Sequence, residues 1–199
     1  MGRAKQYDRE VLLDRAVELF RRKGFHGTST ADLVSELGVN RKSMYAEFGS
    51  KQGLFEATLE RYDEKHLSMV LARLESPDGG TDAIRRAFAG YARASEGRIS
   101  GLGCLLCNTA VERGALAPAS LRYVDAYLTR LTRAFKNALD SAVRAGDLLA
   151  STDTDELAAY FTMGLIGVAA CVRAEWSPAQ VHAACRVTTS VLDAHRAVP

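Results

Sequence analysis

The chain has few prolines, no long apolar run and little net charge. Four prolines in 199 residues, and the lack of alternating apolar and polar residues, favour helices nearly throughout. No apolar run reaches the roughly 20 residues that a membrane helix needs. The polar N-terminus also lacks the hydrophobic core of a signal peptide. The sequence therefore predicts an all-α, cytoplasmic protein without a membrane partner.

Motifs for catalysis and metal binding are lacking too. The sequence contains no nucleophile–base pair, HExxH, P-loop or GxGxxG, and only four histidines. Its four cysteines, at 104, 107, 171 and 185, include a single close pair, which is too few for a zinc site. We therefore expect no catalytic residues, no metal and no cofactor.

Positive charge is concentrated near the N-terminus. The net charge is only +2, but residues 1–51 hold ten Lys and Arg against seven Asp and Glu. The remainder holds sixteen against seventeen. The excess lies on the part of the chain whose pattern, described next, indicates contact with phosphates.

Residues 28–55 read as two short helices joined by a tight turn, followed by the start of a third. Ser29 with Asp32 resembles a capping box, which begins a helix. Gly38 ends that helix, because glycine readily adopts positive φ, and Asn40 is a good cap for the next. This spacing is that of a helix-turn-helix, whose second helix lies in the DNA major groove. The stretch predicts DNA binding.

The second helix of the motif begins with Arg41, Lys42 and Ser43. The N-terminal residues of such a recognition helix reach base edges, and arginine can form a bidentate pair with guanine. Glu47 follows later in the helix. A carboxylate there could repel phosphates or accept from cytosine N4, but we expect Glu47 to be exposed to solvent.

Apolar periodicity assigns the buried faces of the neighbouring helices. The first helix, about residues 8–23, is predicted to bury Val11, Leu12, Ala16, Leu19 and Phe20. A long helix over residues 51–75 is predicted to join the N-terminal part to the rest, and Val70 is among its apolar positions.

Several short motifs together resemble the TetR family of bacterial transcriptional repressors. They are F-x-x-x-G-F (Phe20 to Phe25), T-S-T-x-x-L, L-G-V, M-Y-x-x-F and S-K-x-x-L-F. The resemblance implies an all-helical homodimer of about nine helices that binds a palindromic double-stranded operator. A small-molecule effector entering the C-terminal domain would release the DNA. It also implies a helix-turn-helix domain over residues 1–50 and a larger ligand-binding and dimerisation domain over 51–199.

The resemblance also implies roles for individual residues. Thr30, Tyr45 and Lys51 match phosphate-contacting positions of the family. The N-terminal arm, with Arg3 and Lys5, either lies along the DNA backbone as in some members or is a loose end. An activator instead of a repressor remains open at this point.

Cys104 and Cys107 lie in a GCLLCN segment that resembles a local motif of some family members. A cysteine at a helix N-terminus can have a lowered pKa, and C-x-x-C spacing permits local disulfide chemistry. An alternative function is therefore a repressor that senses thiols or electrophiles through Cys104. Cysteine is also among the most often buried residues, so simple packing is the competing interpretation.

The C-terminal part suggests an effector pocket and a dimer interface. Apolar helix positions with a few polar tips give these candidate ligand-binding residues: Tyr91, Cys104, Leu105, Asn108, Tyr127 and Phe161. In this family the last two helices form a four-helix dimer interface, and the apolar run from Tyr160 to Arg173 fits one of them. The other helix would contribute Val181, Ala184, Cys185, Thr188, Val191 and Leu192.

Overall fold

The computed structural model of the chain describes residues 7–97 and 100–197. Its regular structure there is helical, apart from one isolated antiparallel bridge between Leu148 and Arg196. The predicted contacts of Arg3 and Lys5 lie outside the described residues.

The first three helices form the N-terminal head. They are α1 (Arg9–Lys23), α2 (Thr30–Leu37) and α3 (Arg41–Phe48). Ser29 and Asp32 form a complete capping box at the start of α2. Gly38 follows α2 with φ 66°, in the left-handed region, which lets the chain turn sharply into α3. The predicted helix-turn-helix is present.

The long connecting helix contains a π-helical turn that the sequence did not reveal. It runs as α4 (Lys51–Tyr62), the π turn (Asp63–Leu67) and α5 (Ser68–Glu75). A π turn inserts an extra residue and shifts the phase of the apolar stripe. Leu67, Leu71 and Leu74 remain buried, whereas Val70 is 40% exposed, which corrects the prediction for that residue.

The remaining helices form the body. They are α6 (Gly80–Ala94), α7 (Leu105–Val111), a short 3₁₀ turn (Arg113–Ala115), α8 (Pro118–Ala145), α9 (Thr154–Arg173) and α10 (Pro178–Ala194). With α4 to α5 taken as one helix, the described residues form nine α-helices. Phe88, Phe135 and Phe161 meet in the body core with ring centres 5.8–6.1 Å apart, which ties α6, α8 and α9 together.

One face of α1 differs from the prediction. Val11 is 48% exposed, and Leu13 is buried instead. Val11 shares its side of the helix with Arg15 and Glu18, which are also exposed. The buried stripe is therefore rotated by about one residue.

Helices α9 and α10 pack on each other and leave apolar side chains uncovered. Val181, Cys185 and Leu192 are buried within the protomer, so the prediction that they supply an intermolecular surface is wrong. The uncovered residues are Met163, 64% exposed, and Val187, 69% exposed. By length and composition α9 could span a membrane, with mean hydropathy 1.4 and 44% of its window buried. Core helices of soluble proteins meet the same criterion.

Candidate nucleic-acid interface and effector cavity

The recognition helix α3 packs on the head through one face and presents its first turn to solvent. Met44, on the packed face, is fully buried, and the Asn40 side chain accepts a hydrogen bond from the Ser43 amide at 2.8 Å. Arg41 and Lys42 are both exposed. Core packing and the cap thus set the direction in which these two cations point.

Four of the predicted DNA-binding residues form one cluster. The Tyr45 hydroxyl is 3.1 Å from the Thr30 hydroxyl, and the Arg41 guanidinium lies over the Tyr45 ring at 5.3 Å. The hydrogen bond from Thr30, with smaller contributions from the charges of Arg41 and Lys51, lowers the pKa of Tyr45 and outweighs the opposing effect of burial. Hydroxyl donors and cations converge here, which is the chemistry that binds a phosphate.

Lys51 is held in place by an aromatic ring. Its Nζ lies 4.3 Å from the centre of the Phe25 ring, and Ser50 caps the helix that Lys51 begins. Partial burial lowers the pKa of Lys51. The ring contact positions the ammonium group beside the α4 N-terminus, where backbone amides also face an approaching anion.

Glu47 was predicted to be exposed to solvent, and this prediction is wrong. Its side chain is 12% exposed and lies 3.4 Å from the Arg9 guanidinium, and the Tyr7 hydroxyl donates to it at 3.3 Å. These partners come from the segment before α1 and from its first turn, about forty residues away in sequence. The carboxylate is therefore neutralised inside the head.

A cavity of about 460 Å³ lies between the connecting helix, α6 and the end of α1. This size is in the range of small-molecule sites. Its lining includes Arg21, Tyr62, His66, Tyr91, Gly103 and Val172. Arg21 is only 7% exposed, so the head contributes a buried charged side chain to a cavity of the body.

Only some of the predicted ligand-binding residues lie at this cavity. Tyr91 lines it, and Cys104 follows the lining residue Gly103. The other four candidates do not line it: Leu105, Asn108, Tyr127 and Phe161. Phe161 belongs to the phenylalanine core, and the Asn108 amide donates to the Leu102 carbonyl at 2.8 Å.

Cys104 is the N-cap of α7 and is 1% exposed. A hydrogen bond from the Cys107 thiol, together with the backbone amides of Cys107 and Leu106, lowers the pKa of Cys104 to about 6 despite burial. The same hydrogen bond and burial raise the pKa of Cys107. The hydroxyls of Tyr62 and Tyr91 face the Cys104 sulfur. Cys104 is thus the more acidic thiol and lies just behind the cavity wall.

Head and body are joined beside the cavity. The Arg21 guanidinium donates through Nε and Nη2 to the Gly103 carbonyl. The Glu112 carboxylate accepts from the Phe25 amide at 3.2 Å. The Arg173 guanidinium donates to the Arg22 carbonyl at 2.7 Å. The position of the C-terminal end of α1 is therefore coupled to the residues on either side of α7 and to the end of α9.

Metal ligands are not clustered in the parts of the chain that the structure describes. No group of three or more His, Cys, Asp or Glu side chains there is arranged to hold an ion.

A helix-turn-helix head on an all-helical body that encloses a cavity defines a DNA-binding transcription regulator. Comparison with known proteins narrows the class. Residues 12–58 match the family described as "Bacterial regulatory proteins, tetR family", and residues 80–188 match "Tetracyclin repressor-like, C-terminal domain". The chain belongs to the TetR family, whose members are DNA-binding transcription factors and not enzymes.

Relatives and solved structures agree with this assignment. The HTH-type transcriptional regulator YezE of Bacillus subtilis (strain 168) is 34% identical over 196 residues, which cover 97% of this chain and 100% of YezE. The HTH-type transcriptional repressor ComR of Escherichia coli (strain K12) is 36% identical over 108 residues, which cover 54% of this chain and 51% of ComR. A cysteine mutant of the TetR family regulator CifR, complexed with 26-base-pair operator DNA, superposes with a TM-score of 0.83. The two sequences are 25% identical, and the superposition covers 94% of this chain and 98% of the CifR chain.

Sequence reasoning missed the charged residues of the cavity. Only Arg21 could have been recognised as buried from the sequence, because it follows Val17 by four residues and so lies on the apolar face of α1. His66 and the arginines of α5 and α6 read as ordinary solvated positions, since the cavity exists only once these helices pack together.

Proposed function

We propose that the protein is a homodimeric repressor whose two recognition helices bind a palindromic operator. The main support for this proposal is the cluster that Thr30, Arg41, Tyr45 and Lys51 form on the surface of the head. In this proposal Arg41, Lys42 and Ser43 read base edges, and Thr30, Tyr45 and Lys51 bind phosphates. Half-sites would lie about one helical turn apart, roughly 34–36 Å.

The uncovered face of α9 and α10 supports the dimer. Met163 and Val187 are exposed large apolar side chains on neighbouring helices. An added Cβ at Gly167 would meet nothing within 4 Å, so a second helix can approach closely. Apolar surface of this kind commonly marks an interface between proteins.

The cavity supports release by a small-molecule effector. An effector shifts the equilibrium between DNA-competent and DNA-free conformations only through its different affinity for the two. Arg21 and Gly103 both line the cavity and bond to each other, so a ligand there acts directly on a contact between head and body. We place the head at residues 1–50, the effector and dimerisation domain at 51–199, and the protein in the cytoplasm with its DNA.

Fluorescence anisotropy with the DNA upstream of the gene tests this function. We expect tight, salt-dependent and sequence-selective binding by the wild type. Arg41→Ala should reduce discrimination between sequences, because an arginine contact to a base contributes about 1–3 kcal/mol of discrimination. An Arg41→Ala protein that keeps full selectivity would contradict the assignment of the recognition helix.

A second candidate is switching by modification of Cys104, which the lowered pKa and its place behind the cavity wall favour. The thiolate would add to the electron-poor carbon of an α,β-unsaturated carbonyl. A C–S bond forms, the C=C π electrons move to the α-carbon, and that carbon takes a proton from water. Cys104→Ser should then abolish release of DNA by such a compound while operator binding is unchanged. Release that survives in Cys104→Ser eliminates this mechanism, and Cys171→Ser, at a free thiol outside this pair, serves as the matched control.

A further inference from the structure

The ionisable side chains that line the cavity are four arginines, one histidine and two tyrosines. Arg21 and His66 lie at the inner end, and Arg73, Arg86 and Arg93 are exposed lining residues of the mouth. No aspartate or glutamate is among the lining residues. The walls between the two ends are largely apolar: Leu67, Ala83, Ala87, Ala94 and Val172.

Arg21 is the buried member of this set and has no acidic partner within residues 7–97 and 100–197. Its acceptor is the Gly103 carbonyl, reached by Nε and Nη2, and its guanidinium lies 5.6 Å from the centre of the Tyr62 ring. A buried charge is normally paired with an opposite charge. A carbonyl oxygen and an aromatic face compensate the guanidinium only partly. The Cys104 thiol behind the cavity wall, with its pKa lowered to about 6, adds negative charge when it ionises, but it is not among the lining residues that a ligand contacts.

His66 lies in the same cavity lining and is influenced by Arg21. Burial lowers the pKa of His66, and the positive charge of Arg21 lowers it further. Its ring stacks at a tilt on Tyr62 with the centres 5.0 Å apart. A neutral imidazole beside a buried guanidinium offers a hydrogen-bond donor without a second competing charge.

We propose that the effector is an apolar organic anion, such as a carboxylate with an aliphatic or aromatic body, whose charged group binds Arg21. This inference rests on the proposed function of the cavity as the effector site. The apolar body occupies the space between α5 and α6. Arg73 and Arg93 at the mouth attract the anion, whereas Arg86 is paired with Asp82. Charge complementarity selects the ligand class, because the ionisable side chains that line the cavity include five basic residues and no carboxylate.

The same assignment gives the effector a direct action on the head. Arginine binds carboxylate with two parallel hydrogen bonds, which a single carbonyl oxygen cannot offer. A bound carboxylate therefore competes with Gly103 for the Arg21 guanidinium. Loss or weakening of that contact frees the C-terminal end of α1 from the segment before α7, and the head then reorients on the body.

Three eight-carbon probes that differ in their polar group test the ligand class: octanoate, octan-1-ol and octylamine. Isothermal titration calorimetry of the reduced full chain should show octanoate binding at least about tenfold tighter than either of the others, since hydrogen bonds to a charged group contribute that much. Arg21→Gln should bring octanoate and octan-1-ol to similar affinity, and Arg21→Lys should retain part of the preference. Arg144→Gln, at an exposed position of α8, is the control.

Gly90→Leu provides a second variant that leaves every charge in place. Gly90 lines the cavity, and an added Cβ would meet nothing within 4 Å, so a leucine fills the space without clashing near the backbone. Binding of all three probes should be lost. Wild-type protein that binds octan-1-ol or octylamine as tightly as octanoate, or that binds none of them, overturns the proposal.

Anisotropy on operator DNA separates this inference from the proposed function. If octan-1-ol releases DNA as well as octanoate does, and Gly90→Leu blocks both, the cavity is an effector site and the anion assignment is wrong. If octanoate binds through Arg21 and the DNA stays bound, the ligand class is correct and control of DNA binding by the cavity is wrong.

Discussion

Replacing Lys51 by methionine removes one charge from the proposed DNA-binding face and keeps an unbranched stem. Lys23, Lys65 and Lys136 form ion pairs with acidic side chains. Lys51 forms none within the described parts of the chain and instead lies over the Phe25 ring. Its charge is therefore available to a phosphate.

The expected effect is a change in the salt dependence of DNA binding. Each phosphate that a protein neutralises contributes about 0.9 to the slope of log Kobs against log salt concentration. The proposed dimer carries two copies of Lys51, so the slope of Lys51→Met should be smaller in magnitude by about 1.8. The affinity should fall to a similar extent for operator and for unrelated DNA, because phosphate contacts carry no sequence information.

The folded state should change little. A cation–π contact at an exposed site contributes about 0.5–1 kcal/mol, and methionine retains part of this through its own contact with the ring. The free energy of unfolding should therefore fall by less than about 1 kcal/mol. Chemical denaturation confirms that any loss of DNA binding does not come from unfolding.

The assay is fluorescence anisotropy over a series of sodium chloride concentrations, with wild type, Lys51→Met and Arg144→Gln measured on the same DNA. Arg144 is exposed at the end of α8, far along the chain from the head, and its variant controls for loss of overall positive charge. If Lys51→Met keeps the wild-type slope, or if Arg144→Gln changes the slope equally, Lys51 does not contact a phosphate and the reasoning fails.

Three further predictions concern the dimer, acid stability and the cavity wall. Val187→Glu should convert the proposed dimer to monomer in sedimentation velocity, because a buried unpaired carboxylate costs several kcal/mol, whereas Val111→Glu, at an exposed position of α7, should not. Burial by itself raises the pKa of Asp14. Hydrogen bonds from Arg61 and Lys65 outweigh the effect of burial, so the net result is a lowered pKa. Its ion pairs stabilise the fold above the ordinary aspartate pKa and are lost as pH falls through the lowered one. Asp14→Asn should therefore cost about 0.5–1 kcal/mol at pH 7, with the difference from wild type disappearing in acid; an equal difference at pH 2 contradicts this. Gly103→Ala should destabilise by about 1–3 kcal/mol, because Gly103 has φ 61° and a Cβ would lie 3.0 Å from the Ala169 carbonyl; thermal unfolding unchanged from wild type would contradict it.

The ligand-binding candidates show where sequence reasoning is weakest. Tyr91 and Phe161 look alike in the sequence, since each is an aromatic residue on an apolar helix face. Only the packing of α6, α8 and α9 decides that Phe161 enters the phenylalanine core and that Tyr91 lines the cavity. Apolar periodicity reports that a face is covered, and not whether protein or ligand covers it.

The sequence by itself determined the helix-turn-helix and its outward-facing cations. Caps such as Ser29 and Asn40, and the turn at Gly38, act within three or four residues, so they can be recognised without knowing the fold. The tertiary structure alone decided three other features: the pairing of Glu47 with Arg9, the exposed face of α9 and α10, and the meeting of Arg21 with Gly103 across 82 positions of the chain. These contacts join residues far apart in sequence, and their energies depend on how whole helices pack, which no local pattern encodes.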